Sequence, residues 1–367
     1  MKNKFIPFIV IVLVFIVGCK HEETASNSFR DLLAGLNWGA DTCFVYGHKT
    51  PDADAVCSSL AYAALMRNLG YNCVAKVSSK TNRETAYISE LFGFHLPALK
   101  ESVSNGTRLI LTDHEELAQS VDGADKCVIL QIVDHHTVGD LNTSDVGFIF
   151  REMVGSTCTL VRLLYEKANV SMHDSVARIL LAGILSDTDN LTKDNTTKED
   201  TTAWKSLLSQ LHLSEDSVKS IMQKMNEARL DYTGMTDEDI VLSDYKDYAM
   251  SGTAVGIGCV DWLDSATMGQ FIDRMLVAMP KVMATKNRQM LFCMVSEYVP
   301  NPDTATSEQT VIRRGTYILY CGEGAGEVVQ KAFGPSLREG VYYSDKRLVR
   351  KRDLVPQLTE VLKNRQP

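Results

Sequence analysis

The stretch that most constrains the fold covers residues 44–65, where a short apolar segment leads through a turn into a longer apolar run. The segment Phe44–Tyr46 consists of β-forming residues and ends at Gly47, which predicts a buried strand. Pro51 stands where a first helical turn would begin, and apolar residues recur at helical spacing after it. The stretch therefore predicts a strand, a sharp turn and a helix, as in an open α/β sheet.

The turn itself carries one imidazole and two carboxylates, from His48, Asp52 and Asp54. Open α/β sheets bind their ligands at the carboxyl ends of the strands, where this turn lies. These side chains suit hard or borderline divalent cations. The two Asp residues would serve equally well as caps of the following helix, so this stretch alone does not decide between a metal site and a cap.

Three later segments repeat the apolar strand, at Tyr71–Val77, Arg108–Glu115 and Val128–His136, and predicted helices alternate with them. This alternation predicts a parallel sheet covered on both faces. The last two segments end in acidic and imidazole side chains, which should meet at one edge of the sheet. A predicted helix at 176–185 leads into the acidic segment Ser186–Asp189, where the helix dipole disfavours negative charge unless a cation is bound.

The length of 367 residues exceeds one ordinary core and predicts two domains. The net charge of −8 and the lack of a basic stripe exclude a nucleic-acid backbone as a partner. We divide the chain into a signal peptide (1–18), a lipidated Cys with a tether (19–35), a first domain (36–225), a linker (226–235) and a second domain (236–367).

The amino terminus resembles a bacterial lipoprotein signal. Lys2 and Lys4 precede the apolar run Phe5–Val17, which is short for a membrane span and fits a secretion signal. Ile16–Cys19 resembles a lipobox, with Ile where Leu is usual. The resemblance implies palmitate or a similar lipid on Cys19, and an extracytoplasmic protein anchored in a bacterial cell membrane or outer membrane. An uncleaved signal anchor is the alternative.

Eight further Cys residues lie outside this segment. None forms a Cys-x-x-Cys pair, so no zinc site is indicated. Most of them lie in apolar settings, which predicts buried free thiols. Free thiols fit poorly with export to an oxidising compartment, and the sequence leaves that conflict open.

Five motifs together resemble a known family. Asp134-His135-His136 after an apolar strand is typical of the DHH phosphoesterase superfamily. The other motifs stand in the order seen in manganese-dependent (family II) inorganic pyrophosphatases, namely Gly47–Ser58, Asp113-His114, Gly155–Thr159 and Ser186-Asp187. The resemblance covers residues 40–360. It implies an α/β fold of two domains, a parallel-sheet DHH domain followed by a smaller α/β domain.

The same resemblance implies hydrolysis of pyrophosphate to two phosphates by a metal-bridged hydroxide. The cofactor would be two Mn²⁺ ions, with Co²⁺ or Mg²⁺ as substitutes. It assigns one ion to His48, Asp52 and Asp113, and the other to Asp54, Asp113, His135 and Asp187. Four carboxylates against two divalent ions leave the site nearly neutral, whereas without metal they would raise one another's pKa.

For the substrate, the resemblance implies contacts from His136, Lys246, Arg350 and Lys351. Together with Asp113, we predict His136, Arg350 and Lys351 to be catalytic. The last two match a Ser-Arg-Lys-Lys type of motif, although Val349 and Arg352 replace its outer residues. Arg can grip phosphate through two nitrogens, and Lys supplies a compact charge. Each of these cations would otherwise be an ordinary surface residue, and Asp134 either orients an imidazole or caps a turn.

One departure from the family is Glu115, which stands where the family usually has Asn. We expect its added charge to weaken the binding of anions or to alter metal preference. Two alternatives stay open, an exopolyphosphatase of the same superfamily and a non-catalytic surface lipoprotein that binds metal or phosphate. The expected partners are pyrophosphate or short polyphosphate, the membrane through the lipid, and a second copy of the chain in a homodimer.

Overall fold

The computed structural model describes residues 29–141, 146–263, 265–300 and 311–364. The predicted signal peptide, Cys19 and the first part of the tether lie outside these ranges. Residues 29–34 form helix α1. Within the described ranges, no helix is both long enough and apolar enough to cross a membrane.

Six strands form the sheet of the first domain: β1 (Cys43–Tyr46), β2 (Cys73–Val77), β3 (Ala98–Leu99), β4 (Arg108–Thr112), β5 (Val128–Asp134) and β6 (Phe148–Arg151). All neighbours are parallel, in the order β3-β2-β1-β4-β5-β6. The predicted parallel sheet is confirmed, and β3 and β6 add two strands that were not predicted. The strand order reverses between β1 and β4, and open α/β sheets form their ligand crevice at such a point.

The helices of this domain are α2 (Ala53–Asn68), α3 (Arg83–Phe92), α4 (Thr157–Lys167), α5 (Asp174–Thr188), α6 (Lys198–Leu211) and α7 (Glu215–Leu230). Helix α2 lies against β1 and β2 and also packs on α5. Side-chain oxygens of Asp52, Asn82 and Ser156 accept backbone N–H groups at the starts of α2, α3 and α4. Asp187 lies in the last turn of α5, whereas the sequence placed it after the helix.

The second domain has a smaller mixed sheet of β7 (Tyr245–Met250), β8 (Thr253–Trp262), β9 (Met290–Pro300), β10 (Val311–Gly322) and β11 (Val341–Ser344). The order is β11-β10-β9-β8-β7, with only the pair of β8 and β9 parallel. Its helices are α8 (Asp237–Val241), α9 (Met268–Thr285), α10 (Ala325–Phe333) and α11 (Val355–Lys363). Helix α9 shares a core with one face, and α10 and α11 share a core with the other.

The predicted linker at 226–235 is helical as far as Leu230, where α7 ends. Two ion pairs hold this region, between Arg83 and Asp231 at 2.5 Å and between Nε of Arg229 and Asp261 at 3.3 Å. The first pair ties the linker to α3 of the first domain, and the second ties it to β8 of the second domain.

Candidate active site

The turn after β1 places His48 and Asp52 side by side. Gly47 precedes them, and a Cβ atom there would lie 2.6 Å from the carbonyl oxygen of Ala55, so only glycine fits. Asp52 caps α2 through Oδ1, which accepts the N–H of Ala55 at 3.0 Å. Its Oδ2 lies 3.1 Å from Nε2 of His48. The carboxylate therefore caps the helix with one oxygen and still presents the other to the site.

Asp113 follows β4 and lies between two histidines. Its Oδ2 is 3.3 Å from Nε2 of His48, and its Oδ1 is 3.3 Å from Nε2 of His135. The side chain is buried, and Oδ1 also accepts the hydroxyl of Thr157 at 3.0 Å. The backbone is left-handed, with φ at 64°, and its N–H donates to the carbonyl of Val133 at 2.9 Å. This carboxylate therefore faces both of the ligand sets that the sequence indicated.

Asp54, in the first turn of α2, is held by the amino terminus of α4. Its Oδ1 accepts the hydroxyl of Ser156 at 2.6 Å and the N–H of Cys158 at 3.1 Å, and its Oδ2 accepts the N–H of Thr157 at 2.6 Å. Burial and the neighbouring carboxylates nevertheless raise the pKa of Asp54 to about 8. A nearby cation is therefore needed to keep this carboxylate ionised at neutral pH.

His135 presents an unpaired nitrogen to two carboxylates. Its Nδ1–H donates to the carbonyl of Val154 at 2.9 Å, which leaves the lone pair on Nε2. Nε2 is buried, has no hydrogen-bond partner among the described residues, and lies 3.3 Å from Asp113 and from Asp187. A lone pair aimed at two carboxylates is repulsive, so this geometry requires a cation or a proton between them.

The ligand atoms form three groups in which all atoms lie within 4.8 Å of one another: His48, Asp52 and Asp113; Asp54, His135 and Asp187; Asp113, His135 and His136. The structure thus brings together all six residues predicted to bind metal, with Asp113 between two of the groups. Imidazole nitrogens and carboxylate oxygens in this number fit Mn²⁺, and they also accept Co²⁺ or Mg²⁺.

The pKa values of the histidines and carboxylates in the site also indicate that it requires positive charge. Burial lowers the pKa of His48 and of His135, but neighbouring carboxylates outweigh it and raise the values to about 9 and about 10. Burial opposes ionisation of Asp113, yet the two adjacent histidines lower its pKa well below the usual range. Burial raises the pKa of Asp187. Without metal, protons balance these carboxylates, and a divalent ion has to displace them.

His136 is oriented by Asp134. The Nδ1–H of His136 lies 2.8 Å from Oδ1 of Asp134, and the same oxygen accepts the backbone N–H of His136 at 3.2 Å. Burial and the adjacent His135 lower the pKa of His136 to about 4, so the ring is neutral at physiological pH. This tautomer leaves Nε2 of His136 as a proton acceptor.

Lys246 on β7 and Lys351 before α11 bring positive charge from the second domain. Lys246 is buried, and Nζ of Lys351 has no hydrogen-bond partner in the described part of the chain. That Nζ lies 3.6 Å from Oε1 of Glu116, which belongs to the first domain. Burial and the charge of Lys246 lower the pKa of Lys351. Two neighbouring ammonium groups that repel each other favour a bound anion.

Arg350 is engaged within the second domain. Its two NH groups donate to the backbone carbonyl and to the Oδ1 of Asp244, each at 2.7 Å. These bonds tie the segment before α11 to the start of β7 and so fix the position of Lys351. The structure shows Arg350 as an anchor of this segment, and its predicted role in gripping phosphate stays a prediction.

Glu115 does not add an unbalanced charge. Its carboxylate is fully buried and pairs with Arg151 of β6. Burial raises the pKa of Glu115. The preceding His114 bonds to the carbonyl of Thr112 at 2.9 Å and to the hydroxyl of Ser120 at 3.0 Å. Both side chains therefore hold the loop after β4.

Sequence reasoning missed the contact of Glu116 with Lys351, for which no local signal exists. It also assigned no role to Ser156 and Thr157, which bind the carboxylate of Asp54, although it singled out the motif that contains them. A signal was present, because a Ser before a predicted helix indicates an exposed amino terminus that can bind a carboxylate.

Comparisons with known proteins identify the family. The family model described as the DHH family, N-terminal domain, matches residues 42–184, and that of the DHHA2 domain matches residues 223–361. A manganese-dependent inorganic pyrophosphatase of Methanothrix thermoacetophila is 32% identical over 326 residues, which are 88% of this chain and 99% of the relative. The chain belongs to the manganese-dependent inorganic pyrophosphatase family.

Other manganese-dependent pyrophosphatases are similar to this chain over most of its length. The enzyme of Bacillus subtilis is 27% identical over 319 residues, 87% of this chain and 98% of its own. A solved structure from Methanococcus jannaschii, described as a family II inorganic pyrophosphatase, is 24% identical, with a TM-score of 0.75 over 88% of this chain and 99% of that one. At this identity the likeness shows a shared fold. The family indicated by the motifs is confirmed.

The geometry requires a cation, and the names of these relatives identify it as manganese. The buried Nε2 of His135 shows whether the residues of this chain fit such an ion. It faces Asp113 and Asp187 and has no hydrogen-bond partner among the described residues. A divalent ion in contact with all three would satisfy them. The residues therefore fit manganese.

Proposed function

We propose that the protein hydrolyses inorganic pyrophosphate to two phosphates, with two manganese ions held at the carboxyl edge of the parallel sheet. The observation that carries this proposal is the convergence of six ligand side chains, with Asp113 facing both groups. The named relatives supply the substrate class.

The ligands of one ion would be His48, Asp52 and Asp113, and those of the other Asp54, Asp113, His135 and Asp187. Four carboxylates balance two divalent ions. When bound, such ions acidify a water molecule and neutralise charge on the phosphoryl group. The hydroxyl and amide groups at the start of α4 would keep the carboxylate of Asp54 in one orientation throughout.

The chain's own residues would position the substrate. Lys246 and Lys351 would receive the phosphate oxygens, because Nζ of Lys351 has no hydrogen-bond partner among the described residues and the two charges repel each other. His136, held by Asp134, would contact the substrate or the leaving phosphate and accept a proton at Nε2. The contact of Lys351 with Glu116 would hold the second domain against the first and limit the entry of water between them.

The direct test replaces Asp113 with Asn, a residue that tolerates the left-handed backbone found there. We expect phosphate release from pyrophosphate with Mn²⁺ to fall about a thousand-fold, which is ~4 kcal/mol of lost charge stabilisation. Asp125→Asn, at an exposed site outside the ligand groups, is the matched control and should retain activity. Equal activity of the two variants would contradict the proposal.

The same assay separates the alternatives. Faster turnover of longer polyphosphates than of pyrophosphate would favour an exopolyphosphatase. Metal binding without turnover of any phosphoanhydride would favour a non-catalytic binding protein.

We further propose that Cys19 carries a lipid that anchors the protein outside a bacterial cytoplasmic membrane. The proposal is supported by the short positive segment, the apolar run Phe5–Val17 and the lipobox-like Ile16–Cys19. Cells fed a palmitate analogue should label the wild type and not Cys19→Ser, and an unlabelled wild type would contradict it. The homodimer stays a prediction, which light scattering on the purified protein tests.

A further inference from the structure

Two cysteines lie side by side on neighbouring strands in the core of the first domain. Cys43 is the first residue of β1, Cys73 is the first residue of β2, and they are register partners in neighbouring parallel strands. Register partners point to the same face of a sheet. Both side chains are buried in the same core, which also includes α2.

The geometry suits a covalent bond. Neighbouring strands lie about 4.8 Å apart, and disulfides join residues whose Cα atoms are about 4.4–6.8 Å apart. A bond between these strands therefore needs no change of register. The loop that it would close contains the whole of α2, whose first turn carries Asp54.

We propose that Cys43 and Cys73 form a disulfide bond when the chain folds in an oxidising compartment. One thiolate attacks a small disulfide oxidant such as oxidised glutathione, forms a mixed disulfide and releases one glutathione thiol. The other thiolate attacks the mixed disulfide, forms the Cys43–Cys73 bond and releases the second glutathione. The two protein thiols thus lose two protons and two electrons, and the oxidant takes them up.

The bond would stabilise the fold without touching the metal-binding groups. It lies at the amino end of β1, whereas His48 follows the carboxyl end. Because both thiols are buried, oxidation takes place during folding and reduction of the folded protein is slow. The inference does not depend on the proposed activity, since neither cysteine belongs to the site.

A second pair of cysteines provides an internal control. Cys259 on β8 and Cys293 on β9 also lie on neighbouring parallel strands, but they are one residue out of register. Cys259 pairs with Met294, and Cys293 pairs with Gly258. The two thiols accordingly pack in cores on opposite faces of the second sheet. The strand geometry forbids a bond between them.

The experiment unfolds the full chain, refolds it in detergent with reduced and oxidised glutathione, alkylates the remaining thiols and digests without reduction. Mass spectrometry should find a Cys43–Cys73 cross-linked peptide in most molecules and none that joins Cys259 to Cys293. Alkylation of both Cys43 and Cys73 in the refolded protein would overturn the proposal. Cross-linking of the control pair to the same extent would also overturn it, because the oxidation would then be unspecific.

Thermal unfolding gives a second measurement. Refolding with a strong reductant should lower the midpoint by about 5 °C relative to refolding with oxidised glutathione. A Cys43→Ala, Cys73→Ala double variant should show no such difference, while its release of phosphate from pyrophosphate should equal that of the wild type. A reductant effect of the same size in the double variant would assign the stabilisation to other cysteines and overturn the proposal.

Discussion

The metal-binding groups of the first domain and the lysines contributed by the second domain are built in opposite ways. The acidic wall, made of His48, Asp52, Asp54, Asp113, His135 and Asp187, consists of groups fixed by neighbours. The carboxylate of Asp54 alone accepts three hydrogen bonds from the start of α4. The basic wall, made of Lys246 and Lys351, is less constrained, since Nζ of Lys351 has no hydrogen-bond partner within the described ranges. A wall that keeps its ions can be rigid, whereas a wall that exchanges its ligand in every cycle needs spare donors.

This difference predicts separate effects on binding. Changes in the acidic wall should alter the affinity for metal, because its carboxylates are balanced only by cations. Changes in the basic wall should alter KM for the substrate and leave metal affinity unchanged.

The largest expected effect is the pH dependence of manganese affinity. Neighbouring carboxylates raise the pKa of His48 to about 9 and that of His135 to about 10, so both rings are protonated in the metal-free site between pH 6 and pH 8. An ion has to displace these protons. The affinity should therefore fall from pH 8 to pH 6, by about 100-fold for each proton displaced.

A competition titration with a chelating indicator at pH 6, 7 and 8 measures this affinity. Titration calorimetry in buffers of different ionisation enthalpy would count the protons released. A manganese affinity that does not vary over this range would show that the acidic wall is already deprotonated without metal.

The next effect concerns the basic wall. Lys351→Ala removes a charged donor, and hydrogen bonds to charged groups contribute about 1.5–3 kcal/mol. We expect KM for pyrophosphate to rise about 10- to 100-fold, with manganese affinity unchanged. Steady-state phosphate release measures KM, and Lys281→Ala is the control, because that exposed Lys pairs with Glu238 in the same domain. Weakened manganese binding in Lys351→Ala would show that the two walls are not independent.

The smallest effect on activity should come from Glu115, a carboxylate beside the acidic wall whose charge Arg151 already balances. Glu115→Gln should lower the free energy of unfolding by about 1–3 kcal/mol, because it weakens a buried charged hydrogen bond. We expect kcat/KM to stay within about threefold of the wild type, which is ~0.6 kcal/mol. Denaturant unfolding and the phosphate assay measure the two quantities. A large rise in kcat/KM would instead mean that Glu115 repels the substrate.

Local sequence was enough to predict the sheet edge that carries the acidic wall. Strands β1, β4 and β5 are apolar runs that end in acidic or imidazole side chains, so each showed both a strand and its functional end. Strand β3 was missed because it is two exposed residues long, and β6 because all four of its residues are half-buried. Neither contains the alternation that identifies a strand.

Contacts between the domains could not be predicted in the same way. Glu116 and Lys351 meet only because the second domain folds back onto the first, and no sequence periodicity indicates that contact. Arg350 pairs with Asp244, which lies just before β7 and 106 residues earlier in the chain. The motif that contains Arg350 predicted a cation that binds phosphate. The residues around Arg350 in the fold determine which of its guanidinium nitrogens are already hydrogen-bonded within the protein.

The left-handed backbone at Asp113 limits which residues that position can accept. Most side chains there would carry a steric penalty of about 1–2 kcal/mol, which glycine escapes and asparagine largely avoids. Glycine has no oxygen to offer, and asparagine has no charge. Selection for a folded chain narrows this position to glycine, asparagine and aspartate, and selection for a shared carboxylate leaves aspartate alone.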